Sequence, residues 1–259
     1  MFPRRPRSLS LALAALLALM PATGWAEALA TDPPAERDLA LMGTIPIYWG
    51  EADGFSDLLA GEAHGHWARG VIEQDYRLRP LDYLSAEALA GYRRLLLAQP
   101  RGLSAEENVA LDAWVRGGGR LLLFADPMMT GHSDFALGDR RRPQDVALLS
   151  PILAHWGLEL HFDAAQAAGR RIGEILPPDA EAQAPAGVSV DLPGRLAPLD
   201  EGGNCTLLGE GLAAECRLGG GVALIVADAA LLDIEPADED AMPALLGLMR
   251  RIYGESVPG

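Results

Sequence analysis

Runs of apolar residues separated by short polar punctuation dominate the chain, and their period changes along it. Leu39 to Trp49 is apolar almost throughout, the pattern of a strand buried on both faces. Gly50 to Gly65 reads as a loop with a short helical piece, and Trp67 to Gln74 as a helix with Trp67 and Val71 on one face. Tyr76 to Leu81 alternates and predicts a strand. Ser85 caps a short helix running through Tyr92, and Arg94 to Ala98 predicts another buried strand.

The clearest signals follow. Ser104 and Glu107 form a capping box for a helix carrying Val109, Leu111, Ala113, Trp114 and Val115, which Gly117-Gly118-Gly119 ends. Arg120 to Ala125 is a strand closed by Asp126-Pro127, Gln144 to Trp156 a helix, and Leu158 to Phe162 a strand. Residues 163–203, rich in Ala, Pro, Gly and Asp, read as irregular, with strand-like pieces near Val188–Leu192. Gly219-Gly220-Gly221 feeds the strand Val222 to Ala227, closed by Asp228. A final helix from about Asp238 to Tyr253 has acids in its first turn and Arg250 and Arg251 in its last, the order that suits its dipole.

Strands alternating with helices predict an α/β fold: a mostly parallel, flavodoxin-like sheet with helices on both faces. A single domain spans 39–259, with an irregular insertion at about 163–218 that includes a small β-hairpin. The Gly-Gly-Gly, apolar strand, Ala-Asp sequence occurs twice, at 117–126 and 219–228. Both aspartates fall at carboxyl ends of strands, the edge where open α/β sheets bind ligands. An aspartate there also caps the turn that follows, and that reading stands beside the first.

The N-terminus changes the picture of where this domain works. Arg4, Arg5 and Arg7 precede an apolar run from Leu9 to Met20, then Pro21 and the small-x-small Gly24-Trp25-Ala26. That is a signal peptide over 1–26, followed by a disordered lead-in over 27–38. The run is short for an anchor, which needs about 20 apolar residues. The expected location is therefore periplasmic or secreted, with no membrane span after signal cleavage. Removing 1–26 removes three arginines and no acid, leaving 18 basic against 36 acidic residues, a charge near −18 with no lysine. Such a surface repels phosphate backbones and anionic headgroups, which argues against nucleic acid as a partner. Cys205 and Cys216, the only cysteines, flank a turn at Glu210-Gly211. A hairpin there sets them opposite one another, and in an oxidising compartment they form a structural disulfide.

Three segments carry a resemblance. Leu95–Pro100, Leu103–Glu107 and Leu111–Pro127 form the first, Leu149-Ser-Pro-Ile-Leu-Ala-His-Trp-Gly-Leu158 the second, and Gly221–Leu232 the third. Together they resemble the soluble domain of gliding-motility-type ABC transporter auxiliary proteins. The resemblance implies a class I glutamine-amidotransferase-like fold and a membrane transport complex, or another envelope protein, as partner.

Amidotransferase chemistry needs a Cys nucleophile on a strand-to-helix elbow. The strand ends here read Gln99-Pro100-Arg101-Gly102 and Asp126-Pro127-Met128-Met129, with neither Cys nor Ser. Gly131-His132-Ser133-Asp134 holds three triad residue types, but neighbours in sequence point apart, and no G-x-S-x-G elbow is present. Glu62, His64 and His66 are metal-ligating types at alternate positions. Nothing nearby supplies further ligands, so the segment reads as solvated loop, with no metal and no cofactor expected. Asp139-Arg140-Arg141-Arg142 is the one basic cluster, suited either to an anion or to ion pairs that hold a long loop. The candidate ligand-binding set is Asp126, His132, Ser133, Asp134, Arg140, Arg141, Arg142 and Asp228, with no catalytic residue. The principal expectation is a non-catalytic periplasmic domain that binds a partner or small ligand as accessory to an ABC-type transport system. Its rivals are an exported hydrolase acting on carbohydrate or peptide through the 126–142 loop and a structural envelope protein.

Overall fold

The computed structural model describes residues 36–50, 65–133, 135–136, 138–139, 141–175, 187–200, 202–233 and 240–254. These all fall in one compact unit, Pro34–Gly259. The expected signal peptide and most of the lead-in lie outside the described residues.

Five parallel strands make the core of the fold. They are β1 (Asp38–Gly43), β2 (Arg77–Pro80), β3 (Arg94–Ala98), β4 (Arg120–Phe124) and the late strand β11 (Gly221–Val226). Helices α1 (Trp67–Ile72), α2 (Ala86–Leu89) and α3 (Ala105–Arg116) connect the first four, and α5 (Ala241–Tyr253) follows β11. Between β4 and β11 come α4 (Ser150–His155), the short strands β5 (Leu158–His161), β6 (Arg171–Glu174), β7 (Gly187–Val190) and β8 (Arg195–Pro198), and the hairpin β9 (Cys205–Leu208) and β10 (Ala213–Leu218). The main sheet runs β2-β1-β3-β4-β11-β10-β9, parallel up to β11 and antiparallel beyond it. The parallel part is the flavodoxin-like order, with its switch point between β1 and β3.

The apolar runs follow from burial on both faces. Leu39, Leu41, Leu96, Leu122 and Leu224 pack under α1 and α5, while Ala40, Met42, Leu95, Leu97, Leu121 and Leu123 pack under α2, α3 and α4. Residues of a strand alternate between faces, so a strand covered twice must be apolar at every position. The capping box forms as its spacing predicts: the Ser104 hydroxyl accepts the Glu107 N–H, and the Glu107 carboxylate accepts the Ser104 N–H.

The structure departs from the pattern in three places. β1 stops at Gly43 instead of running to Trp49. Gly43 lies flat against β3, where a Cβ would fall 2.1 Å from the Ala98 carbonyl oxygen. Thr44 N–H then donates across the sheet to Ala98 and Gln99 carbonyls, and the chain turns away, so Ile47 stays buried while Trp49 is 73% exposed. The helix expected over 144–156 is only Ser150–His155. Pro151 occupies its first turn, and the backbone before it is bound elsewhere: Ala147 N–H donates to the Asp126 carbonyl at 2.8 Å. The hairpin, expected inside an insertion, extends the central sheet instead, because β10 pairs with β11 along its whole length. β5 leaves the main sheet to pair with β8, and β6 pairs with β7.

Cys205 and Cys216 face each other across β9 and β10 and are joined by a disulfide. The hairpin turns through a single 3₁₀ turn, with Glu210 left-handed at φ 56°.

Candidate functional site

The repeated glycine-strand-aspartate sequence places its two aspartates side by side, because β4 and β11 are parallel neighbours paired Arg120 to Val222 through Phe124 to Val226. Asp126 and Asp228 are fully buried where the two strands end. Asp126 accepts the Met128 N–H at 2.8 Å and, across the sheet, the Ala229 N–H at 3.1 Å. Asp228 accepts the Ala230 N–H at 2.7 Å and the Asp191 N–H at 3.1 Å. Each carboxylate thus caps its own turn and ties a second segment to it. Burial, only partly offset by these donors, raises Asp126 to about 6. Burial and the Asp126 charge push Asp228 well above the usual carboxylate range.

A third acid joins them. Asp233, in the turn after β11, has a side chain only 4% exposed, and Arg170 is its cation at 3.6 Å. Neither carboxylate oxygen has a hydrogen-bond partner among the described residues. Burial lifts its pKa to about 7. Gly131 makes the close approach possible, since a Cβ there would fall 2.6 Å from Asp233 Cβ.

Gln99 organises the neighbouring strand end. It sits between β3 and α3 with a left-handed φ of 48° and a fully buried side chain. Its amide nitrogen donates to the Asp126 and Gln144 carbonyls at 2.9 and 2.8 Å, and its amide oxygen accepts the Asp126 N–H at 2.8 Å. This elbow is where amidotransferase chemistry would need its nucleophile, and here an amide clamps the backbone instead.

The other residues singled out in the sequence are dispersed. Asp134, Arg140, Glu62 and His64 lie outside the described residues. His132 is exposed, whereas Ser133 is buried and its hydroxyl accepts the Phe135 N–H at 3.3 Å. His155 pairs with Asp112 and His161 with Glu159, so neither serves Ser133 as a base. Both ring nitrogens of His66 are engaged: Nε2 faces the Leu232 carbonyl at 2.5 Å and Nδ1 accepts the Ala68 N–H at 3.2 Å. A proton on Nε2 satisfies both bonds, and burial lowers the ring to about 4. That neutral ring caps α1 and has no nitrogen left for a metal. Arg141 forks onto Asp139 and stacks 4.2 Å over the Phe135 ring, and Arg142 donates to the Phe135 carbonyl at 3.0 Å and lies 3.4 Å from Asp145. These two arginines hold the loop by ion pairs, and the bound-anion reading of the cluster receives nothing from them.

What the sequence did not bring together is a cavity. It lies at the carboxyl end of β1, beside the switch point, with a volume near 410 Å³. Thr44, Tyr48, Trp49, Asp82, Phe135 and Arg141 line it along with apolar residues of the β1 end. Its size is that of a small-molecule site, as is a mostly apolar wall with a few polar groups. Asp126 and Asp228 do not line it. Trp49 was hidden in the sequence by its place in a run that is apolar almost throughout, and only the early end of β1 exposes it.

These features define a doubly wound α/β protein whose two strand-end aspartates serve the backbone and whose open cavity lies at the switch point. Residues 63–171, from before α1 into β6, match the family model described as an ABC-type uncharacterized transport system. That match agrees with the resemblance read from residues 95–127 and 149–158. Among solved structures, the mmIFT52 N-terminal domain is similar with a TM-score of 0.52 at 11% identity, covering 86% of this chain and all of that domain. At such identity the likeness is one of fold. The chain also aligns with a β-galactosidase from Bacillus circulans (TM-score 0.46, 13% identity, 85% of this chain and 31% of that one). A ThuA-like protein from Bacteroides uniformis aligns with a TM-score of 0.43 at 11% identity, over 86% and 94% of the two chains. No curated protein matches the sequence.

Proposed function

We propose that this chain is an exported, non-catalytic accessory domain of an ABC-type transport system, which binds a partner or small ligand at the carboxyl edge of its sheet. The observation that carries the reading is the family match over 63–171, which includes the loop after β4 and much of that edge. The chemistry of the edge supports it. Gln99 fills the elbow, Ser133 serves a turn, and Asp126 and Asp228 spend their oxygens on backbone N–H groups. The hydrolase alternative needs a base near Ser133, and His155 and His161 are held by acids elsewhere. The signal-like segment over 1–26 is what supports the exported, periplasmic part of the reading.

The test is capture in the native host. The full-length chain, tagged at its C-terminus and cross-linked in intact cells, should retain the ATPase and permease subunits of one transport system, and the tag should appear in the periplasmic fraction. Cytoplasmic fractionation, or the absence of those subunits from the cross-linked material, would overturn the proposal.

A further inference from the structure

The cavity at the end of β1 has a distinctive set of walls. Tyr48 and Trp49 stand edge to face with ring centroids 4.8 Å apart, so the exposed indole is braced by its neighbour. Tyr48 is fixed in turn by the Arg69 guanidinium, 4.4 Å from its ring centroid, and the Arg69 Nη1 donates to the Tyr48 carbonyl. On the other wall Phe135 carries Arg141 at 4.2 Å. Asp82 and Arg141 are the charged side chains among the lining residues.

Charge decides what this arrangement accepts. A cationic ligand would need open aromatic faces, but guanidinium groups already cover Tyr48 and Phe135 and would repel it. An anionic ligand would need an uncommitted arginine. Arg141 is forked onto Asp139 and Arg69 is paired with Glu73, while Asp82 and the chain's net charge of −15 oppose a further negative group. A neutral ligand with a flat apolar face and polar edges meets no such penalty. Its face would cover Trp49, which is 73% exposed, and its hydroxyls would meet the Asp82 carboxylate and the guanidinium edge of Arg141. The bonds to Asp139 use two of that guanidinium's five N–H donors.

We infer that this cavity is a binding site for an uncharged sugar ring, stacked on Trp49 and hydrogen-bonded by Asp82 and Arg141. The inference rests on the proposal that the carboxyl edge binds a ligand, and it names the ligand's chemistry.

Calorimetry and tryptophan fluorescence on the purified chain test it, with maltose, cellobiose, mannobiose and chitobiose as neutral probes and glucose 6-phosphate and choline as charged ones. At least one neutral disaccharide should bind saturably with a Kd below about 1 mM. It should protect tryptophan from acrylamide and lose at least about tenfold in affinity in both Trp49→Ala and Asp82→Asn. Trp49 is largely exposed, so its removal should leave the unfolding midpoint unchanged and separate lost binding from lost fold. Any of these results would overturn the inference: no neutral probe saturates, Trp49→Ala or Asp82→Asn leaves affinity intact, or choline or glucose 6-phosphate binds more tightly than every neutral sugar. The cross-linking experiment reads the transport role independently. Recovery of ATPase and permease without sugar binding overturns the sugar site alone, and sugar binding without their recovery overturns the transport role alone.

Discussion

Replacing Asp233 with Asn should stabilise the protein at neutral pH. Among the described residues its cation is Arg170 at 3.6 Å, and the carboxyl group faces the charges of Asp126 and Asp191 with Gly131 pressed against it. On the same turn, the Leu232 carbonyl is occupied by the neutral His66 ring. The folded group releases its proton at about 7, against an ordinary value of 3.8. Between these two values the folded state holds a proton that the unfolded state has lost. Stability therefore falls as pH rises through that window, and the full cost persists above it. The cost of ionising Asp233 in the fold is at most roughly 4 kcal/mol. Asn removes it, and the attraction of the half-exposed Arg170 is already contained in that figure. Its amide must also find partners in a buried site, which costs about 1 to 2 kcal/mol more. A net gain of at most about 2 to 3 kcal/mol at about pH 8 should remain. Urea denaturation followed by circular dichroism, from about pH 5 to pH 8.5 at fixed ionic strength, reads both quantities. The wild type should lose stability across this range and the variant should lose clearly less, with a residual slope from Asp126 and Asp228. An unchanged slope, or a variant less stable than wild type at the alkaline end, would refute the reasoning.

Other substitutions probe the rest of the frame. Gln99→Ala strands the Asp126 N–H and two carbonyls, and should cost about 2 to 4 kcal/mol in urea denaturation; a loss below about 1 kcal/mol would mean the clamp is dispensable. Arg101→Ala leaves the fully buried Glu107 carboxylate without its bidentate cation, 2.8 Å away on both oxygens, and should cost about 3 kcal/mol by the same measurement. Burial would raise Glu107, but Arg101 and the Ser104 and Leu84 N–H groups hold it at about 2. Its contribution is therefore present above its ordinary pKa of 4.5 and fades as pH falls towards 2, which Glu107→Gln should abolish from the acid-unfolding curve. Reducing the disulfide, which closes a loop with a sequence separation of 11, should lower stability by about 3 kcal/mol, seen as a shift in urea midpoint with reductant.

How far the sequence could be read depends on the range of the forces involved. The parallel strands were legible because burial on two faces writes itself into consecutive positions, as in Leu121-Leu122-Leu123-Phe124. The capping box and the disulfide hairpin were legible because their partners lie a few residues apart. Gln99 was not, because its environment is assembled from the end of β4 and a carbonyl 45 residues away. Nor was Trp49: an apolar run records hydrophobicity, and the contact that ends β1 belongs to Ala98 on the next strand. Asp233 has no local signature at all, since only the fold brings Gly131 and Arg170 to it.

The repeated glycine-strand-aspartate sequence falls between these cases, and it explains why this edge looks like a site while its aspartates do structural work. The glycines of the two copies meet at the amino edge, where Gly220 N–H donates to the Arg116 carbonyl and Val222 N–H to Gly119. A Cβ at Gly221 would lie 2.0 Å from the Val115 carbonyl oxygen, so this position requires glycine. That contact fixes the register of β4 against β11, and the register carries Asp126 and Asp228, each seven residues beyond the last glycine of its copy, to adjacent places past the strand ends. Once adjacent and buried, Asp228 is raised by the Asp126 charge and Asp126 by that of Asp191, and the N–H groups of Met128, Ala229, Ala230 and Asp191 are what compensate the two carboxylates. A ligand competing for those oxygens would have to break the loops that shape the edge. The open cavity one strand-pair away, walled by side chains that the backbone does not need, carries no such cost.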